Sequence, residues 1–360
     1  MNKKVVIIGA GPVGLLLAHY LLRRDSYQVD IYERRSDPRL VSFSKSRSFP
    51  VVINQRGIEA LSNIEGVFEA LKATSVESNG SIFHLKNGQT RVVKREKPIY
   101  VLDRIQIVIT LLETLTQKYD SNRLNIYFDH QCKQVDFDGK IIKFENVAAT
   151  GEICANYDLL IGTDGAKSQV REKFLSQDLF ELEQKYIPYA YKSIFLTTEQ
   201  APSLQTGYVH GWRVGNGITV LLVPLQDGTI GGTITFPRQN NPMENFSTTE
   251  NVVKFFEDKF PEISKFLPLE EAEAFLNRPT SHVVTIRCSH YHYNDSVLLL
   301  GDAAHATSPS LGQGCNSGFE DVVIVNNLLD EYSDSWAEAL PQFTLRRKPD
   351  AHALVELSDN

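Results

Sequence analysis

Three apolar runs along the chain end on glycine: Val5 to Ile8 before Gly9, Leu159 to Ile161 before Gly162, and Val297 to Leu300 before Gly301. Short runs without polar alternation read as strands buried on both faces, and a glycine after each marks a place where the backbone must bend. Val29 to Tyr32 is a fourth such run. Helical patterns follow two of them, from Leu15 to Leu22 and from Asn316 to Leu329. The middle of the chain is different. Ile218 to Pro224 and Gly231 to Pro237 are rich in β-branched residues and are separated by Gln226-Asp227-Gly228, which predicts an antiparallel hairpin. The pattern as a whole predicts an α/β fold: a Rossmann-type nucleotide-binding part with an interleaved mixed β-sheet part.

The punctuation carries chemistry. Gly9, Gly11 and Gly14 have G-x-G-x-x-G spacing between a strand and a helix, and Glu33 stands at the end of the second strand, about 20 residues on. In that order the glycines let a pyrophosphate approach the backbone, and the acid accepts hydrogen bonds from ribose hydroxyls while repelling a ribose phosphate. Asp164-Gly165, with Ser168 and Arg171 on the next turn, repeats the theme. So does Gly301-Asp302, where a carboxylate at a strand's carboxyl end suits a polyol, and where Gly312 and Gly314 leave backbone N–H groups open to a flat ring or a phosphate. NAD needs the first turn only. Three such turns far apart in sequence predict one extended cofactor, FAD.

These residues also carry a resemblance. GAGPVG at 9 to 14, TDGAKSQVR at 163 to 171, and GDAAH with GQG at 301 to 314 resemble the single-component aromatic hydroxylases, the class A FAD monooxygenases. Within that family the kynurenine hydroxylases are the nearest branch, through RSFPVVINQRG, QKYIPYAY, HGWRVGN, GCNSGFED and RRKPDAHALVELS. The resemblance implies that Gly9, Gly11, Gly14 and Glu33, with Arg34, hold the adenosine diphosphate. It implies that Arg104 balances pyrophosphate charge, that Asp164 and Gly165 lie along the cofactor, and that Gly301 and Asp302 meet the ribityl chain. Gly312, Gly314, Cys315 and Asn316 would run beside the flavin ring, with Pro309 and Gln313 in the same loop. It further implies reduction by NADH or NADPH bound transiently, addition of O2 to give a C4a-hydroperoxide, and transfer of one oxygen to an aromatic substrate. The flavin carries that chemistry, so no protein residue is assigned as the catalytic group and no metal is required.

The substrate is expected to differ from kynurenine. The arginine that the kynurenine hydroxylases place before an Ile-His pair is Ser81 here, their Pro-Phe-Phe before GQG is Pro309, Ser310, Leu311, and a tyrosine expected near 92 to 95 is missing. A different and less acidic aromatic or polycyclic compound fits these changes. Leu221, Val223, Thr233 and Thr235 on the hairpin, with Ser310 and Leu311, are candidate pocket residues. His210 shares a face with Trp212 and reads as a general base or as a structural histidine. His282, His290, His292 and His305 lack zinc-ligand spacing. Two alternatives remain open: a flavin reductase or halogenase, although the W-x-W-x-I-P halogenase motif is absent, and a non-catalytic FAD-binding protein.

Composition changes the picture little. The 360 residues are 42% hydrophobic with a net charge of -7, which argues against a nucleic-acid partner. Arg34, Arg35, Lys45, Arg47 and Arg56 form a local basic exception. The four cysteines, Cys132, Cys154, Cys288 and Cys315, form no C-x-x-C pair, which predicts a reducing cytoplasm. Gly9 to Gly14 interrupt the apolar amino terminus, so it is not read as a signal peptide, and no apolar stretch is long enough to span a bilayer. The chain ends before the further helices and membrane anchor of some relatives. Residues 1–75, 100–180 and 285–330 are expected to form a discontinuous FAD-binding domain, 76–99 and 181–284 a substrate domain, and 331–360 a helical segment. A monomer or homodimer acting on a small aromatic molecule is the expected assembly.

Overall fold

The computed structural model describes residues 2–41, 50–149 and 151–359. Lys45 and Arg47 of the basic cluster lie outside the described residues. The glycine-punctuated runs become neighbours in one sheet of six strands, in the order His292–Tyr293, Val297–Leu299, Leu159–Gly162, Lys3–Ile8, Tyr27–Tyr32, Leu124–Tyr127. The pairings are parallel except at His292–Tyr293. Val5, Val6, Ile7, Leu160, Ile161, Val297 and Leu298 are fully buried, as strands covered on both faces must be.

Helix Pro12–Leu22 is buried almost all round. It is enclosed by this sheet and by helices Arg104–Lys118 and Gly314–Glu331, which explains why its sequence shows no polar face. Proline at its first turn costs no hydrogen bond there.

A second, mixed sheet of eight strands runs Ser281–Cys288, Leu182–Thr197, Thr229–Pro237, Ile218–Pro224, Tyr208–Val214, Val76–His84, Thr90–Asp103, Pro50–Ile53. The expected hairpin is present: Ile218–Pro224 pairs antiparallel with Thr229–Pro237 through the Asp227-Gly228 turn, where Gly228 has φ +81°. One face of this sheet buries Val220, Leu222, Ile230, Ile234 and Phe236 against Val252, Phe256, Phe260 and Phe275 of the helices between Thr249 and Asn277. Strand Pro50–Ile53, from inside the 1–75 segment expected in the FAD-binding part, lies in this sheet, as does Ser281–Cys288, which straddles the expected boundary at 284 and 285. A three-stranded antiparallel sheet, His130–Asp136, Ile141–Asn146 and Glu152–Asn156, was not anticipated. Helix Trp336–Asp359 packs against helix Gly314–Glu331.

Candidate functional site

All three glycine turns sit at the carboxyl ends of adjacent parallel strands, the edge where open α/β sheets bind ligands. They are packed into one another. Gly9 has φ +103°, and a Cβ there would stand 2.6 Å from the Thr163 carbonyl oxygen. At Gly14 a Cβ would be 2.3 Å from the Gly9 carbonyl oxygen and 2.5 Å from Thr163 Oγ1. Thr163 Oγ1 itself donates to the carbonyls of Ile8 and Gly9, each at 2.9 Å. Gly11 is the exception, since a Cβ there would meet nothing within 4 Å. The first and third glycines are therefore needed by the fold, whereas the second leaves open space over the start of helix Pro12–Leu22. That helix has no side-chain cap, so its first-turn N–H groups remain available to an anion.

Glu33 is half-buried at the end of strand Tyr27–Tyr32. It accepts hydrogen bonds from Ala10 N at 2.9 Å and Arg35 N at 3.0 Å. A carboxylate has further lone pairs, so these bonds orient it without exhausting it. Arg34 is exposed beside it.

Asp164 caps helix Gln169–Phe174 through Gln169 N at 2.7 Å, leaving its other oxygen buried with no hydrogen-bond partner. Burial pushes its pKa up against these hydrogen bonds. Gly165, at φ +82°, makes the turn. Arg171, which the sequence placed on a nucleotide-facing turn, is buried instead and donates to the carbonyls of Ala166 at 2.7 Å and Ala303 at 2.9 Å. It ties the Asp164 turn to the Asp302 turn.

Gly301 has φ +58° and faces Val13. Asp302 follows, exposed to solvent yet crowded enough that burial pushes its carboxyl pKa up, opposed by the positive charges of Arg104 and His305. Arg104, half-buried at the start of helix Arg104–Lys118, is thus near enough to Asp302 for its charge to act there, whereas the resemblance implied a place beside the pyrophosphate. It also acts on Cys315, whose thiol burial pushes up to about 12. A Cβ at Gly314 would lie 3.8 Å from Asp302 Oδ1, so the start of helix Gly314–Glu331 is beside the Asp302 turn. The N–H groups of Gly314, Cys315 and Asn316 have no acceptor within that helix. The Asn316 side chain is occupied. Its Oδ1 accepts from Asn54 N at 2.9 Å and its Nδ2 donates to the Val52 carbonyl at 2.8 Å, leaving its backbone as the part able to face a ring.

Sequence reasoning missed what holds this loop. Asp321, fully buried, accepts from Gly301 N at 2.8 Å, from Arg347 Nε at 2.6 Å, and lies 2.7 Å from His305 Nε2. Arg347 continues to Glu320 at 2.9 Å, Glu320 to Arg56 at 3.1 Å, and Arg56 to Gln313 Oε1 at 2.6 Å. One polar chain thus links the Gly301 turn to the Gly312 loop, and His305 belongs to it as a buried partner of Asp321. The signal was present in the FED and RRKPD segments, but only as resemblance. Ser310 Oγ donates to the Ser358 carbonyl at 2.9 Å, so this candidate pocket side chain is spent on the carboxyl-terminal helix, whereas Leu311 is exposed.

Among the hairpin candidates, Leu221 and Thr233 are cross-strand partners on the face of the eight-stranded sheet opposite the phenylalanine-rich helices, and Thr235 follows on the same side. Val223 packs with Ile99 and Val101, and Val52 beside them stands 3.9 Å from the Cβ position of Gly312. That face therefore meets the glycine loop. His210 lies on the other face, buried between His84 Nε2 at 3.0 Å and the Gln205 carbonyl at 3.0 Å, which makes it structural rather than a base. His292 is bonded to Thr344 Oγ1, and no group of metal-ligating side chains comes together among the described residues.

The sequence profile of the FAD binding domain family matches residues 2–358. The chain belongs to that family, the class A FAD monooxygenases. A kynurenine 3-monooxygenase of Legionella pneumophila is 31% identical over 367 residues, covering 99% of this chain and 79% of that protein. The kynurenine 3-monooxygenase of Sus scrofa is 29% identical, covering 98% and 74%. A solved tetrameric 2-methyl-3-hydroxypyridine-5-carboxylic acid oxygenase has the same fold, with a TM-score of 0.79 at 17% identity over 99% of this chain and 90% of its own. FAD is the cofactor of the family, and the open space at Gly11, the unpartnered Asp164 oxygen and the free first-turn N–H groups all fit it.

Proposed function

We propose that this monooxygenase uses NADH or NADPH and O2 to hydroxylate a small aromatic molecule lying between the Gly312 loop and the open face of the eight-stranded sheet. The observation that carries this reading is the alignment of the Gly9, Asp164 and Asp302 turns on neighbouring strands, with the Gly312 loop continuing from them to Val52. Gly9, Gly11, Gly14, Glu33 and Arg34 would hold the adenosine end, with Arg104, Asp164 and Gly165 along the diphosphate. Gly301 and Asp302 would take the ribityl chain, and Gly312, Gln313, Gly314, Cys315 and Asn316 the ring. Bound there, FAD supplies electron transfer and oxygen activation.

The chain's own residues do the rest. The first-turn N–H groups of helix Gly314–Glu331 stabilise negative charge at the adjacent ring edge, and Val52, Val101 and Val223 keep water from the reacting face. We assign residues 1–75, 100–180 and 285–330 to the FAD-binding part, 76–99 and 181–284 to the substrate part, and 331–360 to a helical support. Four free cysteines support a reducing cytoplasm, and no described helix is long and apolar enough to cross a membrane. A monomer or homodimer is the proposed assembly, which light scattering tests.

The purified protein should show a flavin spectrum, and FAD at 100 times its Kd should stabilise it by about 2.7 kcal/mol. NADH and NADPH oxidation is then followed against anthranilate, kynurenine, phenols and polycyclic aromatics. Stimulation by one compound with a product heavier by one oxygen is the expected result. Bound FAD without stimulated oxidation would favour the reductase or non-catalytic alternatives.

A further inference from the structure

On the helix-covered face of the eight-stranded sheet, a row of polar groups runs inward from a cleft of about 460 Å³. His84 ends strand Val76–His84, while His210 and Trp212 stand on its parallel neighbour Tyr208–Val214. Glu262 comes from helix Pro261–Ser264. Trp212 Nε1 donates to Glu262 Oε2 at 2.9 Å, and the same oxygen stands 3.2 Å from His84 Nδ1. His84 Nε2 is 3.0 Å from His210 Nδ1, and His210 Nε2 is 3.0 Å from the Gln205 carbonyl oxygen. The His84 ring lies flat on the Trp212 indole, with ring centroids 4.0 Å apart.

The hydrogens in this row do not balance unless a proton is added. A carbonyl oxygen cannot donate, so His210 Nε2 must carry a hydrogen toward Gln205. A neutral imidazole has one ring hydrogen, which leaves His210 Nδ1 bare and obliges His84 Nε2 to donate to it. A neutral His84 then has nothing on Nδ1, where it faces a carboxylate oxygen that is itself only an acceptor. Three gaps need a hydrogen, and two neutral histidines supply two. The row closes only when it takes up one proton more.

The other charged groups lining the cleft are Lys86, Arg213, Asp258 and Lys259, and the contacts of His84, His210 and Glu262 named above include none of them. Burial pulls the His84 pKa below 6.5, its ordinary value, while Glu262 pulls it up, and burial lowers that of His210 as well. The third hydrogen therefore arrives as pH falls below the ordinary histidine range. At higher pH the lone pairs of His84 Nδ1 and Glu262 oppose one another. Glu262 is the member free to leave, since its side chain is 34% exposed whereas His210 is enclosed.

We propose that His84, His210 and Glu262 form a proton-operated latch: uptake of one proton ties the end of strand Val76–His84 to helix Pro261–Ser264, and its loss releases Glu262 toward the cleft. Strand Tyr208–Val214, which carries His210 and Trp212, has Val209 toward its other end, packed with Val52 and Val223 beside the Gly312 loop. Acid thus fixes the eight-stranded sheet at the end remote from that loop. A protonated His84 over the Trp212 face gains a cation–π contact that the neutral ring lacks.

The test follows the FAD-loaded protein by nuclear magnetic resonance from about pH 8 to about pH 4.5, the span in which a histidine beside a carboxylate titrates. The chain's two tryptophans, Trp212 and Trp336, give two indole N–H signals, which Trp212→Phe assigns. The Trp212 signal should move along a single one-proton curve while the Trp336 signal holds still. Nitrogen shifts of the His84 ring should show hydrogen on Nε2 alone at high pH and on both nitrogens in acid. Glu262→Gln supplies the missing hydrogen from its amide, so its Trp212 signal should stay at the acid position throughout, and His84→Phe should also lose the curve. A Trp212 signal that does not move in the parent, a His84 ring with hydrogen on Nδ1 alone at high pH, or a curve that survives in either variant would each overturn the latch. A variant that fails to fold is recognised by its lost flavin, and the parent's two readings then decide.

Discussion

Asp321→Ala should cost about 3–5 kcal/mol of stability, the usual penalty when one partner of a buried ion pair is removed. Arg347 would be left among Ser317 and Glu320 with its shortest contact gone, His305 would lose its acceptor, and the N–H of Gly301 would be buried without one. Against a total stability of about 5–15 kcal/mol this is a large fraction. Because Gly301 precedes Asp302, the loss should also appear as flavin-poor protein. Thermal unfolding and the ratio of flavin to protein absorbance measure both effects. An alanine variant that is fully flavin-loaded and melts within a degree or two of the parent would show that the network is dispensable.

The same carboxylate sets an acid limit. Burial alone would raise its pKa, but the charges of His305 and Arg347 and the hydrogen bonds from His305 and Gly301 outweigh it, so the folded value lies below the ordinary carboxylate range. A group depressed in the folded state contributes fully above its unfolded pKa of about 3.9 and loses that contribution as pH falls through the folded value. Denaturation midpoints of the parent should therefore fall below about pH 4 relative to neutral pH, and an Asp321→Asn variant should show a smaller fall.

Gly11→Ala and Gly14→Ala should give opposite outcomes three residues apart. A methyl at Gly14 meets backbone oxygen 2.3 Å away, and backbone cannot rotate aside, so the variant should fold poorly or not at all. At Gly11 the methyl meets open space and φ is an ordinary -76°, so the apoprotein should melt as the parent does. FAD affinity should nevertheless fall by at least about a hundredfold, because that space is where the diphosphate approaches the helix start. Calorimetry on apoprotein and FAD titration separate the two. Unimpaired FAD binding by Gly11→Ala would move the diphosphate elsewhere.

The parallel sheet and its three turns were legible because buried strands, glycines and acids are local signals with fixed spacing. The hairpin around Asp227-Gly228 was legible for the same reason. What escaped was non-local. Nothing near Asp321 indicates that Arg347 will reach it, and Arg171 looked like a ligand residue until its donors were seen to end on Ala166 and Ala303. The sheet His130–Asp136, Ile141–Asn146, Glu152–Asn156 escaped because its strands are short and half-exposed, so that neither an apolar run nor a clean alternation marks them.

The polar chain from Arg347 to Gln313 also bears on when the protein becomes competent. Gly9 is made among the first residues and Arg347 near the last, yet the Gly301 turn, which touches Val13 of the amino-terminal helix, is braced by Asp321 and Arg347. Contacts so distant in sequence are slow to form. During synthesis the amino-terminal strand and helix can pair early, but the edge that would receive FAD stays unbraced until Arg347 has emerged. Cofactor loading is therefore expected to wait until the chain has been made through Arg347.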